Sequence, residues 1–264
     1  MIKDLSDTDY GLIGRPLAHS QSKAFFTELF AATGSDESYD NFELSELSPA
    51  TLYQLVLLNP RLKGFNVTAP YKVDVMQYLD RISQEACSAG AVNTVKIIRA
   101  DDGRMLGLEG YNTDVEGFGE SVAAMVSKLR DGQGALVLGT GGASKAVTAA
   151  LSRLGIKSTL VSRTRRGNGI IGYSDINAAL LQGNPLIVNA TPAGTWPDTE
   201  SCPPFPYELI TEGMMCHDLV YNPSETTFMK RCAARGAEVK NGLDMLHSQA
   251  LASLSIWRTE KTLL

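Results

Sequence analysis

The sequence has few of the residues from which metal centres and disulfides are built. Its four cysteines, Cys87, Cys202, Cys216 and Cys232, lie far apart without CxxC or zinc-like spacing, so reduced structural thiols and no bound metal are expected. The three histidines are His19, His217 and His247. Cys216-His217-Asp218 is tempting, but neighbouring strand residues point to opposite faces, so adjacency makes no triad. No apolar run approaches the ~18–20 residues of a membrane span. Met1-Ile2-Lys3-Asp4 opens no signal peptide, and a cytoplasmic protein without membrane attachment is expected. Positive charge is also short: 24 lysines and arginines against 29 aspartates and glutamates give a formal charge of −5. That balance offers no basic stripe to nucleic acid. What is present, 264 residues with 44% hydrophobic and 20% charged, suits a globular enzyme of one large or two modest domains with a sizeable core.

The chain opens with alternating strand and helix signals. Tyr10 to Gly14 reads as a short strand and Lys23 to Thr33 as a helix stopped by Gly34,. Tyr39 to Leu44 alternates like a strand, Ser48-Pro49 starts a helix through Leu52, Leu55 and Val56, and Leu62 to Val67 reads as a third strand,. Helices are expected after Pro70 and near Ser83 to Ser88. Ala91 to Arg99 and Met105 to Tyr111 then form a hairpin about Asp101-Asp102-Gly103,. Thr113 can cap a helix running to Leu129, and Asp131 to Gly134 resets the chain,. Further strands are expected at Ala135–Leu138, Ser158–Ser162, Leu186–Asn189, Met215–Leu219 and Glu238–Lys240. Helices start at Ser174 and Thr226, and a last one spans about Asp244 to Trp257,. Alternation of this kind implies parallel sheets.

Ala135 to Leu138 leads into Gly139-Thr140-Gly141-Gly142-Ala143-Ser144 and a helical pattern from Lys145 to Leu154. Strand, glycine turn and helix in that order bring backbone N–H groups and the positive end of a helix dipole to a pyrophosphate. The third small position of the dinucleotide fingerprint is Ser144 rather than Gly or Ala. The next strand, Ser158 to Ser162, ends where an NAD-binding unit usually sets Asp or Glu on the ribose. Here the chain reads Ser162-Arg163-Thr164-Arg165-Arg166. It offers no carboxylate and several guanidiniums able to clamp a 2′-phosphate, so NADP is the expected cofactor.

Ligands of open parallel sheets collect beyond the carboxyl ends of the strands, which directs attention to polar residues there. After the first strand, Ser20 and Ser22 place two hydroxyls beside a helix start, suited to a carboxylate or simply to capping. After the third, Asn66-Val67-Thr68-Ala69-Pro70-Tyr71-Lys72 puts Lys72 in the first turn of an expected helix, where the dipole disfavours a cation. Acid–base use would explain that placement; a solvated surface lysine is the plainer reading. Asn93 and Asn112 are amides at strand ends, and Asp114 opens a helix, where the dipole favours it and where it can pair with Lys72. Tyr221 and Gln249 have the length and polarity to reach a hydroxylated acid.

The motifs His19-Ser20-Gln21-Ser22, Asn66 to Lys72, Gly90 to Thr94, Asn112-Thr113-Asp114, Gly139 to Ser144, Ser162-Arg163-Thr164, Asn189-Ala190-Thr191, Tyr221-Asn222-Pro223 and Gly242 to Ala250 follow one another in order. On them the chain resembles the shikimate dehydrogenase family over most of its length. The resemblance implies NADPH-dependent reduction of 3-dehydroshikimate to shikimate on the route to aromatic amino acids. It implies that Ser20 and Ser22, with Tyr221, hold the substrate carboxylate, and that Thr68, Asn93 and Gln249 surround the ring. Lys72 and Asp114 would be the catalytic pair, Lys72 as the acid. The cofactor would rest on Gly139, Gly141, Gly142, Ala143, Ser144, Ser162, Arg163, Thr164, Arg165, Thr191 and Gly242. The chain departs from the usual family pattern at Lys23-Ala24-Phe25, Ser162 and Pro192.

The expected fold is α/β with two domains. Residues 1–113 plus 242–264 form a substrate-binding domain, and 114–241 form a Rossmann-like, doubly wound NADP-binding domain, with the C-terminal helix returning to the first. The active site is expected in the cleft between them, closed by a hinge, in a monomer or homodimer that takes a small-molecule substrate. Two other readings compete: a quinate or broader quinate/shikimate dehydrogenase, possibly using NAD, and a non-catalytic NADP-binding sensor on the same fold. The arginine loop ranks the first below NADP-dependent shikimate chemistry, and Lys72 with Asp114 argues against the second.

Overall fold

A computed structural model describes residues 8–18, 20–164, 167 and 169–259. The chain divides into two compact units: the described residues through Thr113 together with those from Gln249 on, and Asp114–Ser248.

The first unit begins with strand β1 (Tyr10–Gly14), helix α1 (Ser22–Thr33), β2 (Tyr39–Glu43), α2 (Pro49–Leu58) and β3 (Gly64–Val67). α2 starts where local chemistry dictates. Pro49 occupies the first turn, and Ser48 and Thr51 satisfy each other's backbone N–H groups in a capping box,. After β3 the chain makes turns through Lys72 and a short 3-10 helix at Asp74–Tyr78. The α-helix expected after Pro70 is absent there, and Lys72 does not sit in a helical first turn. The two-residue strand β4 (Arg81–Ile82) precedes α3 (Gln84–Ala89), which Ser83 caps through Ala86 N–H at 3.2 Å. β5 (Thr94–Arg99) and β6 (Met105–Tyr111) form the expected hairpin.

The sheet order is β2-β1-β3-β5-β6-β4. β1 runs parallel to β2 and β3, whereas β5 is antiparallel to both β3 and β6. That mixture has a consequence for the site. The carboxyl ends of β1, β3 and β6 and the amino end of β5 share one edge of the sheet. One core packs Ile13, Leu55, Phe65 and Val95, and another joins Tyr10, Phe26 and Tyr39 to Leu254 and Trp257 of the last helix.

The second unit holds α4 (Thr113–Val126, from Asp114 on), β7 (Ala135–Leu138), α5 (Gly142–Arg153), β8 (Ser158–Ser162), β9 (Ile170–Gly172), α6 (Ala178–Gly183), β10 (Leu186–Asn189), β11 (Met215–Asp218), α7 (Thr227–Ala233) and β12 (Glu238–Lys240). α4 stops at Val126, short of the expected Leu129. The helix expected from Ser174 is instead a 3-10 turn at Tyr173–Asp175, followed by α6 with Asn177 as its cap. All pairings in this sheet are parallel, in the order β12-β11-β10-β7-β8-β9. β7 therefore lies at the point where the winding reverses, as in a doubly wound dinucleotide-binding sheet. β7 (Ala135-Leu136-Val137-Leu138) and β10 (Leu186-Ile187-Val188 before Asn189) are buried throughout and read as apolar runs, as strands covered on both faces must,. The closing helix α8 (Leu243–Arg258) contains the division between the units, at Gln249. Among the described residues no helix is long and apolar enough to cross a membrane.

Candidate functional site

In the first unit, the shared sheet edge gathers several of the expected residues. Asn93, just before β5, is 2% exposed, and its orientation is fixed from two sides. Its Oδ1 accepts the Thr113 backbone N–H at 2.8 Å, while its Nδ2 donates to Thr113 Oγ1 at 2.9 Å and Gln249 Oε1 at 3.4 Å. Thr68 follows β3 and donates its N–H to Ile13 O at 2.9 Å, binding the β3 turn to β1. The backbone carbonyl of Lys72 accepts Val92 N–H at 2.8 Å, which ties the lysine's turn to the approach of β5. Lys72 itself is half-buried.

Ser22 is buried in the first turn of α1, and Gln21 at the cap position makes no side-chain cap bond. Ser22 donates its backbone N–H to Ser20 Oγ at 3.3 Å, and its side chain lies beside the buried Tyr39 hydroxyl. Ser20 also borders a groove of about 750 Å³ shared with Lys23, Asn41 and Glu43. Asn93, Thr68 and Lys72 do not line that groove. His19 lies outside the described residues.

Sequence reasoning missed the support behind these groups: Tyr39, Asn66, Thr94 and Ser253, all buried. One signal was available, since Gln249 and Ser253 are polar at i and i+4 on the otherwise apolar inner face of α8,. The Thr113 hydroxyl, expected to cap α4, instead joins Asn93, Thr94 and Ser253.

In the second unit, β7 enters a glycine turn. Gly139 has φ 109°, a left-handed conformation that L side chains rarely adopt, and a Cβ there would lie 3.1 Å from Ala190 O,. Gly141 stands at the cap of α5 without a side-chain cap bond, and added Cβ atoms at Gly141 and Gly142 would meet only open space. The N-terminal end of α5 and the open space at Gly141 and Gly142 fit a phosphate group,. Ser144, 1% exposed, has a hydroxyl Oγ with no hydrogen-bond partner. Its small side chain fills the position at which the fingerprint requires close helix–strand packing.

At the end of β8, Ser162 Oγ donates to Thr164 O at 2.9 Å and shapes a tight turn, leaving Arg163 exposed. Arg165 lies outside the described residues. Thr191 donates its hydroxyl to Asn189 Oδ1 at 2.7 Å and so turns the loop after β10. Asn189 in turn donates to Asp218 Oδ1 at 2.9 Å, and Asp218 Oδ2 accepts Thr226 Oγ1 at 2.6 Å. Burial raises the Asp218 pKa to about 6. Gly242 permits a close backbone crossing, because a Cβ there would sit 2.1 Å from Leu219 O. Asp114 is buried in the first turn of α4, and Tyr221 is half-buried beyond β11. Among the described residues no group of three or more His, Cys, Asp or Glu could hold a metal ion.

A doubly wound parallel sheet with a glycine turn at its reversal point, joined to a second α/β unit with amides and hydroxyls along one edge, defines a two-unit dinucleotide-binding protein of Rossmann type. The family model for the shikimate dehydrogenase substrate binding domain matches residues 12–95. A shikimate dehydrogenase (NADP(+)) from Clostridium beijerinckii is 38% identical over 94% of this chain and 91% of that protein. Among solved structures, a chorismate mutase/shikimate 5-dehydrogenase fusion protein from Clostridium acetobutylicum matches with a TM-score of 0.82 at 34% identity, covering 96% of this chain and 92% of that one. The shikimate 5-dehydrogenase of Thermus thermophilus in complex with NADP(H) and shikimate matches with a TM-score of 0.80 at 33% identity, covering 95% and 93%. The chain belongs to the shikimate dehydrogenase family.

Proposed function

We propose that this chain is an NADP-dependent shikimate dehydrogenase, an oxidoreductase that reduces 3-dehydroshikimate to shikimate in the biosynthesis of aromatic amino acids. The observation that carries the proposal is the shared edge of the first unit's sheet. There Ser22, Thr68, Asn93 and Gln249 stand as hydroxyls and amides suited to a polyhydroxylated acid, on a segment largely covered by the substrate-binding family match. In this reading residues 1–113 and 242–264 are the substrate-binding domain and 114–241 the NADP-binding domain. A cytoplasmic protein acting as monomer or homodimer suits such an activity.

NADPH, when bound, supplies the hydride. The chain's residues do the rest. The amides at the start of α5, with Gly139, Gly141, Gly142, Ala143 and Ser144, receive the pyrophosphate. Arg163 and Arg165 meet the 2′-phosphate, with Ser162 and Thr164 shaping their turn. Thr191 and Gly242 set the backbone that borders the cofactor. Ser20, Ser22 and Tyr221 hold the substrate carboxylate, while Thr68, Asn93 and Gln249 orient the ring. As the ketone carbon gains the hydride, its oxygen gathers negative charge. Lys72 stabilises that charge and transfers its proton to the oxygen, and Asp114 accepts from a ring hydroxyl.

Crossing shikimate and quinate with NADP+ and NAD+ while following reduced-nicotinamide absorbance tests the proposal. Turnover is expected with shikimate and NADP+ at a kcat/KM well above the other three pairs. Preference for quinate or NAD+ would favour the broader dehydrogenase, and cofactor binding without turnover would favour a sensor.

A further inference from the structure

The substrate-facing candidates of the first unit are joined from behind by a buried hydrogen-bonded chain to which the chemistry above assigns no task. The Tyr39 ring is stacked on Phe26 at 4.4 Å between ring centres. Its hydroxyl donates to Asn66 Oδ1 at 2.9 Å and lies beside the Ser22 side chain. The Asn66 Nδ2 faces the Asn93 carbonyl at 3.2 Å, Thr94 Oγ1 at 3.1 Å and Ser253 Oγ at 2.9 Å. A carbonyl can only accept, so this contact fixes which end of the Asn66 amide is nitrogen. Ser253 Oγ donates to the Gln249 carbonyl at 2.9 Å, which turns its lone pairs toward Asn66 and toward Thr94, 2.8 Å away. The chain thus has a defined polarity from Tyr39 through Asn66 and Ser253 to the Gln249 backbone carbonyl, passes the backbone of Asn93, and reaches the Asn93 side chain through Thr94, whose hydroxyl donates to Asn93 Oδ1 at 3.1 Å.

We infer that Tyr39, Asn66 and Ser253 are positioning residues that hold Ser22, Asn93 and Gln249 in the spacing and donor orientation a polyhydroxylated carboxylic acid requires. The inference rests on the reading that Ser22, Asn93 and Gln249 contact the substrate. Hydroxyls and amides rotate easily, and a wrong rotamer presents a donor where the ligand needs an acceptor. A buried, fully connected network removes those states before the ligand arrives, so their ordering is not charged against binding. An apolar core at the same place would avoid the cost of burying so many polar groups, but it would fix no orientation.

Tyr39→Phe and Ser253→Ala each delete one hydroxyl and leave the neighbouring packing nearly intact. Shikimate binding is measured by calorimetry without cofactor, and KM is measured separately for shikimate and NADP+. The expected result is a rise of about tenfold in the shikimate Kd and KM, with the NADP+ KM unchanged. Variants that melt at lower temperature but bind shikimate as the parent does would show a purely structural network and overturn the inference. Ser22→Ala and Asn93→Ala separate the two levels of argument. If they leave shikimate binding intact, the substrate reading fails and the inference with it. If they weaken binding while Tyr39→Phe and Ser253→Ala do not, only the positioning role fails.

Discussion

Lys72 carries the proton in the proposed reaction, and the structure changes the reason for choosing it. A cation in the first turn of a helix would be disfavoured by the dipole, but Lys72 lies in a turn before a 3-10 helix, so that argument does not apply,. Its support is its place on the edge that also carries Thr68 and Asn93. Lys72→Ala is expected to lower kcat by about 10²- to 10⁴-fold, the usual contribution of a positioned general acid, with the fold retained by circular dichroism. Arg163 is exposed just beyond β8, and the proposed reading sets it against the cofactor's 2′-phosphate. Arg163→Ala should raise the Kd for NADPH by about tenfold to a hundredfold and leave that for NADH nearly unchanged, as fluorescence titration would show. A third residue-scale effect concerns pH. Burial first, and then the charge of Lys240, lowers the His217 pKa to about 4. An unfolded chain's histidine titrates near ~6.5. The unfolded state therefore binds the extra proton between those values, and stability from His217 declines as pH falls through that window. Asp218 acts in the opposite sense, because its raised pKa lets the folded state take the proton first as pH falls below about 6,. The neighbours offset each other. Urea titrations of His217→Phe and the parent should diverge in the variant's favour by about 3 kcal/mol between pH 6.5 and 4; a constant difference would contradict this account of His217.

At the scale of elements, close backbone crossings matter as much as propensity. α8 begins where Gly242 passes Leu219 O, and any Cβ there meets carbonyl rather than a movable side chain. Gly242→Ala should cost about 1–3 kcal/mol in chemical denaturation, an overpacking penalty, through displacement of the start of α8. Elements with strong local signals were legible in the sequence. Met105–Tyr111 and Ala135–Leu138 appear with the expected bounds, and the capped start at Ser48-Pro49 gives α2. Those that were missed lack such signals. β4 and β9 are two and three residues long and exist because neighbouring strands pair with them. The segment after Pro70 had helical composition but too little apolar periodicity to hold an α-helix and settled into a 3-10 helix, whereas the one after Ser174 begins as a 3-10 turn and becomes α-helical only at α6, where Asn177 supplies the cap,.

At the scale of the whole molecule, the sequence pointed to the proposed site residues more readily than to what holds them. Ser22 and Asn93 were visible as polar groups at helix and strand ends and Gln249 as a long polar side chain within the closing helix, whereas Tyr39, Asn66 and Ser253 are linked only through the fold. Asn66 and Ser253 stand 187 positions apart in the chain, and no local pattern encodes such a bond. The second unit was easier to foresee, because a strand, a glycine turn and a helix lie consecutively in sequence and β7 stands at the reversal of the sheet. In the proposed reading the first unit supplies most of the groups that select the acid, and the second holds the reductant and adds Asp114 and Tyr221. The most direct test mixes purified protein with 3-dehydroshikimate and NADPH and quantifies both products. The account predicts one shikimate formed for each NADPH oxidised. NADPH left unconsumed, or consumed without shikimate appearing, would contradict it.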